Sequence, residues 1–390
     1  MSRSEKRAYL NKIKERYLKA TKKEKSIILN EFCLVCGYNK KYAIRILNKS
    51  DNSYKTKRKV GRKSIYDSEE FITALKDIWI NTDYICSKRL KQAIPLWLPF
   101  YEKTFNCLSD KTKNDLLKIS PSAIDRILKR FRVYNRKGLS GTKPGTLLKN
   151  QIPIRENNWD IDRPGFMEAD TVAHCGTSLY GDFIWSLTMT DIHTGWSENR
   201  AVWNKGGIGV LNKITDIESR LPFELKGFDC DNGSEFLNQH LLRYFTDNGK
   251  NTKFTRSRPN KKNDNAHVEQ KNWTQVRNLL GYERLDDETL VDKINSLYSE
   301  EWSLYNNYFR PSQKLIKKIK INSKYTRKYD IPKTPYLRVM ESEYVSNENK
   351  EILKKTFESL NPFELKSSID RKLKDIFKNV KVTPNVRQRI

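Results

Sequence analysis

The sequence predicts a multidomain chain with all-α units first, a mixed α/β core next and a basic C-terminal tail last. Three observations predict it. Helical periodicity with capping residues runs through the first third, strand-like runs between glycine turns begin at Gly165, and charge divides along the same lines. Counting Lys and Arg against Asp and Glu, residues 1–160 carry +21, residues 161–310 carry −4 and residues 311–390 carry +11, out of +28 over 390 residues. Such a balance calls for a polyanionic partner, and the slightly acidic middle must hold something that wants carboxylates.

Nucleic acid and an acidic membrane surface are the two candidate polyanions, and the membrane is the weaker. No apolar run approaches the ~20 residues of a spanning helix, and the basic N-terminus lacks the apolar segment of a signal peptide. The expected location is the cytoplasm, with the nucleoid reached through DNA. Six scattered cysteines make no disulfide framework. Cys33 and Cys36 have metal-ligand spacing, but no second such pair exists and every histidine lies far downstream, so they read as core residues of an apolar helix.

In the first unit, expected over 1–50, a helix from Lys22 stops at Gly37, and Asn39 caps a second helix. Ala43, Ile44 and Leu47 fall on its inner face, and Lys40, Lys41, Arg45 and Lys49 point outward. Helix, short turn, helix is either a DNA-binding helix-turn-helix or a plain helical hairpin with a solvated basic face. A basic linker is expected over 51–67. A second helical unit follows over 68–133, its last helix opened by Ser120 and Pro121, with Arg126, Lys129 and Arg130 on the outer face. Residues 134–160 read as another linker.

The core is expected over 161–310. Three successive strands precede an alternation of helix and strand, the pattern of a mixed sheet. Asp170 lies in the first strand and Asp231 at the end of the fourth, where carboxylates converge above a sheet. A helix from Ala266 carries Glu269 in line with Ala266, Trp273 and Val276, on what reads as its buried face. A buried carboxylate without a cation one turn away calls for bound metal. Three convergent acids suit two Mg²⁺ ions, held by oxygens, for in-line displacement at phosphorus. Neighbouring acids are decoys: Glu168 shares a strand face with Asp170, Asp229 lies further inside its strand than Asp231, and Glu235 falls in the first turn of a helix read from Ser234, where it complements the dipole. The string Arg256, Arg258, Lys261 and Lys262 reads as a DNA-contacting loop, mobile until DNA arrives.

The motifs ADTV at Asp170, DCDNGSEF at Asp231 and SRPNKKNDNAHVEQKN at Glu269 resemble those of DDE transposases with a retroviral-integrase-type, ribonuclease H-like core. With DTVAHCG and VEQKNW they are similar to the ISNCY-like group of bacterial insertion sequences. The resemblance covers roughly residues 160–340. Asp231 and Glu269 stand 37 residues apart, slightly more than the spacing familiar from retroviral integrases. It implies metal-dependent cleavage at transposon ends and transfer of the freed 3′ hydroxyl into target DNA, with Mg²⁺ as cofactor and Mn²⁺ able to substitute. It also implies terminal repeats and target duplex as partners, and a homo-oligomer assembled on DNA. Two alternatives stay open: a ribonuclease H-class nuclease that does not join strands, and a DNA-binding regulator with a retired core. The basic tail over 311–390 has no assigned role in its last forty residues.

Overall fold

The computed structural model describes residues 1–49, 65–132, 161–231, 233–246, 250, 252–257, 266–321, 324–378 and 380. The linker expected over 134–160, and all but the last three residues of that over 51–67, lie outside them. The chain divides into two compact units, Met1–Ile65 and Tyr66–Ile390.

Among the described residues, the smaller unit holds three helices: α1 (Arg3–Lys19), α2 (Lys22–Cys36) and α3 (Lys40–Leu47). Capping boxes start α1 at Ser2/Glu5 and α2 at Thr21/Glu24. Gly37 ends α2 in the left-handed region (φ 64°), a conformation cheap only for glycine, and Asn39 caps α3 through the amide of Lys41. Phe32, Cys36, Ala43 and Leu47 are fully enclosed, with Cys33 packed beside them. Ile44, expected inside, is exposed, because α3 is short and only its Ala43–Leu47 edge faces the other two helices.

The larger unit begins with α4 (Glu69–Asn81), α5 (Ser87–Thr104), α6 (Asp110–Lys118) and α7 (Pro121–Leu128), the last capped by Ser120 and followed by a 3₁₀ turn, Lys129–Phe131. A five-stranded sheet follows: β1 (Phe166–Ala173), β2 (Ile184–Asp191), β3 (Ser197–Trp203), β4 (Gly227–Cys230) and β5 (Lys253–Arg256), in the order β3-β2-β1-β4-β5. β2 runs antiparallel to both β1 and β3, whereas β4 runs parallel to β1 and β5 parallel to β4. Parallel neighbours require crossovers, supplied by α8 (Gly207–Ser219) and α9 (Gln239–Thr246). Val210, Ile214 and Ile217 seat α8, while Leu241 and Phe245 seat α9.

Beyond the sheet come α10 (Ala266–Lys271), a π-helical turn over Asn272–Arg277, and α11 (Asn278–Leu280). They are followed by α12 (Leu290–Leu297), a second π-helical turn over Tyr298–Trp302, and α13 (Ser303–Phe309). The region expected as a basic tail is folded instead. It forms a hairpin, β6 (Leu315–Ile321) with β7 (Lys324–Tyr329), then α14 (Pro335–Glu341), α15 (Asn347–Ser359) and α16 (Pro362–Phe377). Its cationic residues conceal apolar positions at helical spacing: Tyr336, Val339, Leu353, Phe363, Ile369 and Ile376 are buried in the main core. Trp97 of α5 is the keystone. It is wholly buried, donates its indole N–H to the Phe309 carbonyl at 3.0 Å, and meets Tyr305, Phe309 and Phe363 edge-on.

Candidate active site

Strand register creates the site. Ala169 of β1 pairs with Cys230 of β4, so Asp170 and Asp231, each one residue further on, stand side by side where the parallel ladder ends. One step deeper, Glu168 pairs with Asp229. Strand alternation puts all four carboxylates on one face of the sheet.

The deeper pair is structural. Glu168 is fully buried and accepts the Val268 amide at 3.1 Å, so it holds the first turn of α10, the helix that carries Glu269. Asp229 is buried and accepts the Thr255 hydroxyl from β5.

The outer pair is partly exposed. Asp170 is half-buried, with Oδ1 accepting the Thr171 amide at 2.8 Å and Oδ2 accepting Asn272 Nδ2 at 2.7 Å. Burial pushes its carboxyl well above the usual range, and the charges of Asp231, Glu269 and Glu235 push the same way. Asp231 is pushed up to about 6, by burial first and then by Glu235. The Gly233 amide opposes this by donating to Asp231 Oδ1 at 2.8 Å. Gly233 is where a side chain would not fit: a Cβ there would lie 2.6 Å from Glu235 Oε2 and 2.8 Å from Asp231 Oδ1. These two oxygens are therefore no further apart than the sum of those distances.

Glu235 does not play the dipole role expected of it. Its helix α9 begins only at Gln239, and Glu235 is buried in the preceding turn. There it accepts the Thr171 hydroxyl at 2.7 Å and faces Lys205 Nζ at 3.3 Å. Glu269 also differs from expectation. The π-helical turn after Lys271 breaks the 3.6-residue phase, so Val268, Asn272 and Val276 are buried while Glu269 and Trp273 are exposed. Glu269 thus stands on the open side of the site, within electrostatic reach of Asp170.

Among the described residues, no three His, Cys, Asp or Glu side chains are gathered into a ready-made cation cage. Asp170 and Asp231 are brought together, and Glu269 is a looser third. The donor set still suits a hard divalent cation, being all oxygen and short of positive charge. One detail adds to the fit: Asn272 donates to Asp170 through Nδ2, and its buried Oδ1 meets no donor among the described residues. Asn272, Thr171 and the Glu235–Lys205 pair escaped the sequence analysis. Only the i, i+3 spacing from Glu269 to Asn272 hinted at any of them.

The basic residues scatter more widely. Lys40, Lys41 and Arg45 are exposed on α3, with the Arg45 guanidinium 5.1 Å from the centre of the Tyr42 ring. Arg126, Lys129 and Arg130 are exposed at the end of α7 and in the turn after it. Arg256 is not part of a loop; it closes β5 and is buried. Arg258, Lys261 and Lys262 lie outside the described residues.

A helical region leading into a mixed sheet, with acids side by side where the parallel β1–β4 ladder ends, defines an α/β protein whose candidate site lies at that end of the ladder. The chain belongs to the family of the protein named "Uncharacterized protein y4rM" of Sinorhizobium fredii (strain NBRC 101917 / NGR234), with 36% identity over 328 residues, covering 83% of this chain and 92% of that one. No family model matches the chain. Among solved structures it is similar to the HTLV-2 integrase catalytic core domain in complex with magnesium, at 16% identity and a TM-score of 0.28, covering 38% of this chain and 90% of that one. The BIV integrase core is similar at 12% identity and 0.29, covering 38% and 86%.

Proposed function

We propose that the chain is a DDE-type transposase that cleaves DNA at transposon ends and transfers the 3′ hydroxyl into target DNA. The observation that supports it best is the register of β1 on β4, which sets Asp170 and Asp231 side by side where the parallel ladder ends. Glu269 is the third acid of the set. When bound, two Mg²⁺ ions, or Mn²⁺ in their place, supply activation of the attacking oxygen and neutralisation of the leaving one. Asp170, Asp231 and Glu269 would hold them. Asn272 orients one oxygen of Asp170, and the Gly233 amide orients one of Asp231. The exposed cations of α3 and α7 would grip the phosphate backbone of the terminal repeats and target, with copies of the chain assembling on the DNA.

The test supplies pre-cut transposon-end DNA, plasmid target and Mg²⁺ to the purified chain. Joined products are expected, and Asp170→Asn, Asp231→Asn or Glu269→Gln should each abolish them while duplex binding persists. Cleavage without joining would favour a nuclease. Binding without either reaction would favour a regulator.

A further inference from the structure

The hairpin β6–β7 has a feature that its own stability does not explain. Between Lys314 and Tyr329 the sequence places seven basic residues and no acid. The register sets Lys317 directly opposite Lys328, and Lys318 directly opposite Arg327. Like charges facing across an antiparallel pair destabilise it. Arg327 and Lys328 are adjacent along β7, so strand alternation puts Lys328, with Lys317 opposite it, on one face of the ribbon and Arg327 on the other. Lys317, Arg327 and Lys328 are exposed, and none has a carboxylate partner among the described residues.

The ribbon is nonetheless firmly mounted. At its base, Ser312 and Lys333 form a bridge, and Asp330 accepts the Lys314 amide at 2.6 Å. Lys314 Nζ donates to the His193 carbonyl at 2.6 Å, tying the hairpin to the turn between β2 and β3. Arg338 of α14 clamps the Ser312 carbonyl at 3.0 Å and Asp330 at 2.6 Å. A fixed base beneath a ribbon cationic on both faces suits a polyanion that meets both faces at once. The major groove of DNA admits a two-stranded ribbon with phosphates along both walls. Exposed Ile319, beside the Lys317–Lys328 pair, offers an apolar contact to the groove floor.

We propose that the β6–β7 hairpin is a duplex-DNA contact that inserts as a ribbon between two phosphate rows. The choice of DNA as ligand rests on the function proposed above; the need for a polyanion rests on the register alone. The test titrates the full chain onto a fluorescent duplex of random sequence, in EDTA, over a range of salt. Lys317→Gln with Lys328→Gln should weaken binding roughly tenfold or more at low salt and reduce the log–log salt slope by about two. Lys317→Arg with Lys328→Arg should bind like the parent chain. The neutralised chain should melt no lower than the parent, since the substitution removes a repulsion, which separates lost contact from lost folding. Arg327→Gln provides a second variant, losing about one unit of slope.

Unchanged affinity and slope in the neutralised chain would overturn the proposal. So would an equal loss from Lys354→Gln with Lys355→Gln on exposed α15, which would show bulk charge alone at work. Retained binding to phosphatidylglycerol vesicles with none to duplex would replace DNA by a lipid surface. If no strand joining were found but the hairpin variants still lost duplex binding, the catalytic reading would fall and this contact would stand.

Discussion

Thr171 donates its hydroxyl to Glu235 at 2.7 Å, joining the strand that bears Asp170 to the turn that follows Asp231. Lys205 stands on the other oxygen of Glu235 at 3.3 Å and lies 4.6 Å from the centre of the Trp185 ring. Asp170 and Asp231 are thus spanned by a third acid, which is tied down from both sides.

That span makes Glu235 a positioning residue. Partners of this kind typically change metal affinity or activity by about 10–100-fold when lost. Glu235→Gln should raise the Mg²⁺ concentration for half-maximal joining by roughly tenfold, and Thr171→Val should do so by a similar factor. A variant with unchanged Mg²⁺ dependence but lower stability would reduce the pair to a packing contact.

The crowding of Asp170 and Asp231 predicts a stability signature. Without metal, burial and like charge both oppose ionisation of Asp170. Asp170→Asn should therefore melt at or above the temperature of the parent chain in EDTA. Mg²⁺ should raise the melting temperature of the parent, by about 2.7 kcal/mol of stability at a hundredfold excess over its dissociation constant, and leave the variant unmoved. Equal stabilisation of both would remove Asp170 from the metal site.

His174 predicts a pH dependence. It is fully buried between the sheet and Tyr298, hydrogen-bonded at 2.7 Å to Ser186, which in turn meets the Tyr298 hydroxyl at 2.8 Å. Burial, aided by the charge of Arg277, pushes its pKa down to about 3 from 6.5. Below pH 6.5 the unfolded chain takes up a proton that the folded chain refuses. Stability is then complete above that pH and falls toward pH 3, by about 1.4 kcal/mol per unit from this group. Denaturant melts of His174→Gln between neutral and mildly acidic pH should show a slope shallower by that amount. Parallel slopes would refute the assignment.

Trp97 predicts how far the helices α4 to α7 depend on the rest of the larger unit. Trp97→Ala should cost about 3–5 kcal/mol, through the cavity left and the Phe309 carbonyl deprived of its donor. Chemical unfolding followed by fluorescence and by limited proteolysis between residues 66 and 130 would measure it. A cost below about 1 kcal/mol, at the level of a surface substitution, would show that the contact carries little.

The sequence by itself determined what is local. Caps at Asn39 and Ser120, the stop at Gly37, the strands bearing Asp170 and leading to Asp231, and the division of charge all depend on residues within a turn or two of one another. Three features were decided only by tertiary structure. Parallel pairing of β1 with β4 brought together acids 61 positions apart, and their register made Glu168 and Asp229 structural while leaving Asp170 and Asp231 partly exposed. A π-helical turn moved Glu269 from the expected buried stripe to the open side, because one wider turn resets the phase of a helix face. The late start of α9 buried Glu235 against Thr171, where local pattern had offered it a solvent-facing dipole role. The C-terminal region read as a tail because its lysines dominate the composition, whereas folding follows the spacing of its few apolar residues and the surface they find to cover.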